Sequence, residues 1–174
     1  MPRMFEKLTT SRELFIFKLG SALSMERDSL QMLEDLTSRA QRVELKALLE
    51  EHTEETRQQL ANLERAFVIL GEDVDDSPSP TTAGLAKEAK TTLRKTIPQL
   101  ADQVILAGAL ETEHYEIAVY ETLIAAAQAA GNVELVSIFE QNLGQEKAAA
   151  EKLRAASRAV AAEGPLHAPD GDNG

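Results

Sequence analysis

The chain has 174 residues, 43% of them hydrophobic but only 4% aromatic, with no tryptophan or cysteine and a formal net charge of −11. That length suffices for one domain with a core, filled mainly by Leu, Ala, Ile and Val, a diet that favours helix over sheet. An acidic surface repels phosphate backbones and anionic lipid, and the lack of cysteine excludes disulfides, thiolate zinc sites and iron–sulfur clusters.

The six prolines fall near the ends, in one central stretch and at Pro98, which leaves room for long helices. The first helix is expected from near Thr10, where Thr10 and Glu13 have capping-box spacing, and Leu19, Leu23, Leu30 and Leu33 follow at helical intervals. A break is expected around residues 38–41. The second helix carries Leu45, Leu49, Leu60, Leu63, Phe67 and Leu70, and Gly71 can take the left-handed conformation that ends it. "EDVDDSPSPTTAG" reads as a loop, and a short helix is predicted over 85–96, stopped by "TIP".

The third helix starts after Pro98 and carries Val104, Leu106, Leu110, Ile117, Tyr120 and Ile124, up to a tight turn at Gly131. The fourth carries Val136, Phe139, Leu143 and Leu153 and runs to about Glu163. Residues 1–163 are expected to form one bundle, and the tail "GPLHAPDGDNG" to be disordered. Hairpin, long connection, hairpin is the connectivity of an all-α ferritin-like four-helix bundle, with the short helix inside its crossover. The N-terminal "MPRMFEKLTT" lacks an apolar signal core and no apolar run reaches about 18 residues, so the expectation is a cytoplasmic protein without nucleic-acid or membrane partners.

Each apolar stripe is interrupted by an acid. Glu26 falls between Leu23 and Leu30, His52 and Glu55 between Leu49 and Leu63, Glu113 between Leu110 and Ile117 with Glu116 about 60° round the wheel, and Glu146 between Leu143 and Leu153. The depths agree as well. Glu26 lies 13 residues before Arg39, and His52 and Glu55 lie 13 and 16 after it. Measured from Gly131, Glu113 and Glu116 lie 18 and 15 before it and Glu146 lies 15 after it.

Four carboxylates buried together repel one another and lose their hydration, and divalent cations held by carboxylate and imidazole are the simplest compensation. The competing reading is a solvated acidic face, which a glutamate-rich chain produces easily. His114 sits about 100° from Glu113 and is expected beside the site, orienting a carboxylate, or at an interface. Tyr120 continues the apolar stripe, so core packing is the default and a hydrogen bond to the site the sharper alternative.

"EEHTEET", "ETEHYEIAVYETL" and "LGQEKAAAEKL" resemble the YciE/YciF family of bacterial ferritin-like proteins, and the resemblance covers most of the chain. It implies a frequently dimeric bundle associated with stress responses, of undefined activity, with a rubrerythrin-like dinuclear centre. Carried over by position, that centre points to Glu26, His52, Glu55, Glu113, Glu116 and Glu146, holding one or two ions, with iron favoured over manganese or zinc. Two departures stand out: Gln145 replaces an acid of the family's fourth helix, and Ala150 replaces its aspartate. A weaker site, a single metal or a water-filled position then follows. So does the alternative of a non-enzymatic stress protein that works by dimerisation or partner binding.

Overall fold

In the computed structural model, which describes residues 7–164, Thr10 caps the first helix as its spacing predicts. Its side chain accepts from the Glu13 amide at 3.1 Å while Glu13 reaches back to the Thr10 amide at 3.0 Å. Helix α1 spans Ser11–Arg39, α2 Val43–Leu70, α3 Pro80–Arg94, α4 Ala101–Ala129 and α5 Val133–Glu163, with a 3-10 turn at Pro98–Leu100. No strand occurs among the described residues.

α1 and α2 form one hairpin and α4 and α5 the other; α2 packs on α5 and α1 on α4, closing a four-helix bundle. The crossover helix α3 lies against α4 and α1. It begins before the predicted 85, because Pro80 sits in the first turn, where its missing N–H costs nothing. α5 begins at Val133, since Asn132 caps it by accepting from the Leu135 amide at 3.1 Å. The expected disorder of the tail falls mostly on residues 165–174, outside the described residues.

Three features hold the connections. Gly71, at φ 67°, ends α2 in the left-handed region. The loop after it is strapped to α1: Ser24 donates to the Asp76 carbonyl at 3.1 Å, and Gly20 lets the Asp75 carbonyl come so close that an added Cβ would meet it at 2.8 Å. At the opposite end the buried Asp102 of α4 accepts from the Gln41 and Arg42 amides at 2.8 and 3.2 Å, which fixes the α1–α2 break.

The apolar core is divided in two. One cluster gathers Leu19, Leu23, Leu63, Phe67, Leu123 and Phe139, and the other Leu33, Leu36, Leu49, Ile105, Leu106 and Leu153. Between them every helix of the bundle turns polar at the same level. α1 contributes Glu26 and Ser29, α2 His52 to Gln59, α4 Thr112 to Glu116, and α5 Asn142 and Glu146. Residues three and four apart stack on one helix face, so each helix delivers its polar groups into the same slab.

Candidate metal centre

His52 is the one cationic group among the buried described residues, and it is ringed by carboxyls. Its Nε2 lies 3.0 Å from Glu113 Oε1 and 3.3 Å from Glu146 Oε2, and its Nδ1 lies 2.9 Å from Glu55 Oε2. Only the Glu55 contact has the alignment of a hydrogen bond; Nε2 is left without one. One donor atom from each of His52, Glu113, Glu116 and Glu146 lies within 4.8 Å of the others. Donors about 2.0–2.2 Å from a shared cation are separated by at most about 4.4 Å, so a small closure turns this group into a coordination shell.

The unsatisfied atoms test that fit. The threonines of the slab satisfy themselves: Thr53 and Thr56 donate to the carbonyls of Leu49 and His52, and Thr112 to that of Gly108. The acids do not. Both oxygens of Glu116, both of Glu146, one of Glu113 and one of Glu26 are buried without a hydrogen-bond partner. Native interiors leave few such atoms, and each calls for an explanation. A hard or borderline cation supplies one here, because carboxylate oxygens plus one imidazole are its usual donors.

The electrostatics point the same way. Burial pushes the Glu116 carboxyl well above its usual range, and Glu146, Glu26 and Glu113 add repulsion. Glu26 is raised by burial and then by Glu146. Glu146 is pushed up to about 8, by burial first, with His52 pulling it down and Glu113 pushing it up. Burial opposes a charge on His52, but the Glu113, Glu146 and Glu55 carboxylates outweigh it and hold the imidazole protonated well above its usual range. Without a metal, protons and imidazolium neutralise the slab; a divalent ion would replace them.

Of the six residues singled out by the sequence, four come together in the donor group: His52, Glu113, Glu116 and Glu146. Glu116, expected on the flank, is fully buried within it. Glu26 and Glu55 lie outside that group. Glu55 sits behind the imidazole, half-buried, and His52 holds its carboxylate below the usual range. That is the place of a carboxylate that fixes the tautomer of a ligating histidine. Glu26 is fully buried and accepts a hydrogen bond from the Tyr120 hydroxyl. His114 does not flank the site: it is exposed, with Nε2 3.2 Å from the Arg154 guanidinium. The step of about 100° from Glu113 carries His114 to the solvent side of α4.

The two departures separate. Gln145 is half-buried and donates to Gln58 at 2.9 Å across the α2–α5 interface, while its own Oε1 is buried without a partner. Ala150 is buried one turn beyond Glu146, where it presents only a methyl. Sequence reasoning missed Asn142 and Gln59. Asn142 donates to the Tyr120 hydroxyl at 3.0 Å and to the Gln59 carbonyl at 3.3 Å. Each lies one turn from an acid already noted, Glu146 and Glu55, so following the polar interruption one turn further would have found both.

Comparison with known proteins agrees with this architecture. YciF of Escherichia coli K12 is 27% identical over 150 residues, covering 84% of this chain and 89% of its own. The crystal structure of that stress protein superposes with a TM-score of 0.85 at 25% identity, over 90% of this chain and 99% of the other. YcfI from Rhodopseudomonas palustris gives 0.83 at 33% identity, over 87% and 97%. A two-domain protein from Anabaena variabilis that contains a ferritin-like domain gives 0.64 at 20% identity, covering 95% of this chain and 42% of that one; at that identity it speaks to the fold. The family profile for DUF892, a domain of unknown function, matches residues 10–164. Because that match runs through all five helices, and the YciE/YciF resemblance is borne out with it, the chain belongs to the DUF892 family.

Proposed function

We propose that the protein binds a divalent transition ion in mid-bundle, through His52 Nε2 and one oxygen each of Glu113, Glu116 and Glu146. The carrying observation is that these four donors converge within 4.8 Å while both oxygens of Glu116 and Glu146 and one of Glu113 are buried without hydrogen-bond partners. Glu55 holds the imidazole by Nδ1 so that Nε2 faces the carboxylates. The two apolar clusters border the slab above and below and the four donors are buried between them, a low-dielectric setting that strengthens every ion–ligand interaction inside. Iron is favoured, with manganese and zinc as alternatives of similar donor preference.

An iron or manganese ion would supply one-electron redox chemistry; zinc would supply only Lewis acidity. The protein's own residues orient the ligands and store the protons that leave when an ion enters. A dinuclear centre, a role in stress and assembly as a homodimer extend the same reading. The stress role is supported by the likeness to the E. coli stress protein.

The test is metal content. Protein purified without a histidine tag, loaded with iron(II) or manganese(II) and freed of excess, should carry at least one ion per chain and melt at higher temperature, because a ligand that binds only the native state stabilises it. Glu113→Ala should carry none. A wild-type chain that retains no transition metal would sink the proposal.

A further inference from the structure

All four donors are buried, so an ion reaches them only where helices part. Three of the bundle's seams are tied. Short turns at residues 40–42 and 130–132 join α1 to α2 and α4 to α5. The α1–α4 seam is covered by the crossover: Ser21 and Ser24 donate to the carbonyls of Pro78 and Asp76 at 3.3 and 3.1 Å, Thr82 donates to Asp28 at 2.9 Å, and α3 lies against both helices. The seam between α2 and α5 has neither a turn nor a cover.

Its chemistry differs too. Polar pairs cross it along its length. Arg42 pairs with Glu163, Lys152 with Glu51 at 2.9 Å, and Arg65 with Glu134 at 2.7 Å. Between them Gln145 donates to Gln58 at 2.9 Å and Asn62 to Asn142 at 2.7 Å. Apart from Asn142, every one of these partners is exposed or half-buried. Such bonds exchange for water at little net cost, whereas parting leucines exposes apolar surface.

Behind the middle pairs, His52 Nε2 of α2 stands 3.3 Å from Glu146 Oε2 of α5. Parting this seam therefore uncovers the donors themselves. The register of the flanking pairs sets Glu55 opposite Ala148, whose exposed methyl puts little in the way. Glu55 touches His52 and still reaches solvent, and the exposed Glu50, Glu51 and Glu54 beside it on α2 give the mouth a negative potential that draws cations.

We propose that the α2–α5 seam is the door of the centre: its polar pairs part to admit a divalent ion, and the ion, held by His52 on one side and Glu146 on the other, closes it. The inference rests on the cluster being a metal site.

The chain has no cysteine, so introduced pairs are its only thiols. The experiment compares Gln58→Cys with Gln145→Cys, across the door, and Glu121→Cys with Lys147→Cys, across the α4–α5 seam where the native side chains pair at 3.4 Å. Manganese(II) uptake by untagged protein is timed with a competing chelating dye, before and after oxidation. Oxidising the first pair should all but stop uptake, and reduction should restore it; the second pair should load at the wild-type rate in both states. First-pair protein loaded while reduced and then oxidised should hold its ion against EDTA longer than the reduced protein does, which a disulfide that merely distorts the donors would not achieve. Gln58→Ala removes one pair without touching a donor and should speed uptake and release about 2–10-fold at unchanged metal content. Undiminished uptake with the first disulfide closed, or equal slowing by both disulfides, would overturn the inference and leave the metal site standing. No ion in wild type would remove both. Should the first disulfide not form, Gln58→Ala decides: faster uptake supports the door, and an unchanged rate overturns it.

Discussion

Glu146→Gln should stabilise the metal-free protein at neutral pH while removing its response to metal. Glu146 is fully buried with neither oxygen hydrogen-bonded, and burial pushes its carboxyl up to about 8 from 4.5. A carboxyl whose folded-state pKa is raised supports folding fully below 4.5, and that support is lost as pH climbs towards 8. The loss runs at about 1.4 kcal/mol per pH unit, so it reaches roughly 3 kcal/mol at pH 7. Gln has the shape of the protonated acid and does not titrate, so the variant escapes the loss. His52 keeps its contacts with Glu113 and Glu55 in the variant. In the presence of a chelator, Glu146→Gln should therefore melt roughly 6–12 °C above wild type at pH 7. The gap should shrink below about 1 kcal/mol at pH 5. With manganese(II) the order should reverse, because only wild type retains the full donor set. A variant no more stable than wild type at pH 7, or a gap that does not widen between pH 5 and pH 7, would refute the assignment of a desolvated, proton-holding carboxyl at this position.

Glu55→Gln should keep the metal count and weaken manganese binding by about 10–100-fold, as expected for a carboxylate that orients a ligand, and loss of the ion altogether in equilibrium dialysis would make Glu55 a ligand. Asp102→Ala removes the acceptor for the Gln41 and Arg42 amides and should cost about 2 kcal/mol in urea denaturation without altering metal content. Gly20→Ala drives a methyl against the Asp75 carbonyl and should cost about 1–3 kcal/mol, with faster amide hydrogen exchange in the strapped loop than in the helices. An unchanged melting temperature in that variant would mean that the strap gives way freely.

Much of this molecule is written in local rules. The Thr10–Glu13 box, the left-handed Gly71 and the leucine spacing define helices without reference to partners, and the long connection between two hairpins admits the crossover bundle. The polar interruptions at Glu26, His52, Glu113 and Glu146 were legible because a residue's depth in a straight helix scales with its distance along the chain. Pro80 was harder to read: a proline looks the same in a loop as in the first turn of a helix.

Tertiary packing alone decided how the interruptions divide into roles. Periodicity places a side chain on a face, but it does not say which oxygen meets which nitrogen across a helix interface. Thus Glu55 went behind the imidazole, Glu26 to Tyr120, and His114 out to Arg154. Asp102 reaches an amide pair 60 and 61 residues away, which no local pattern encodes. The sequence determined that the core of this bundle contains charge. The meeting of four helices determined where that charge goes unpaired, because hydrogen-bond geometry is a property of distances between helices.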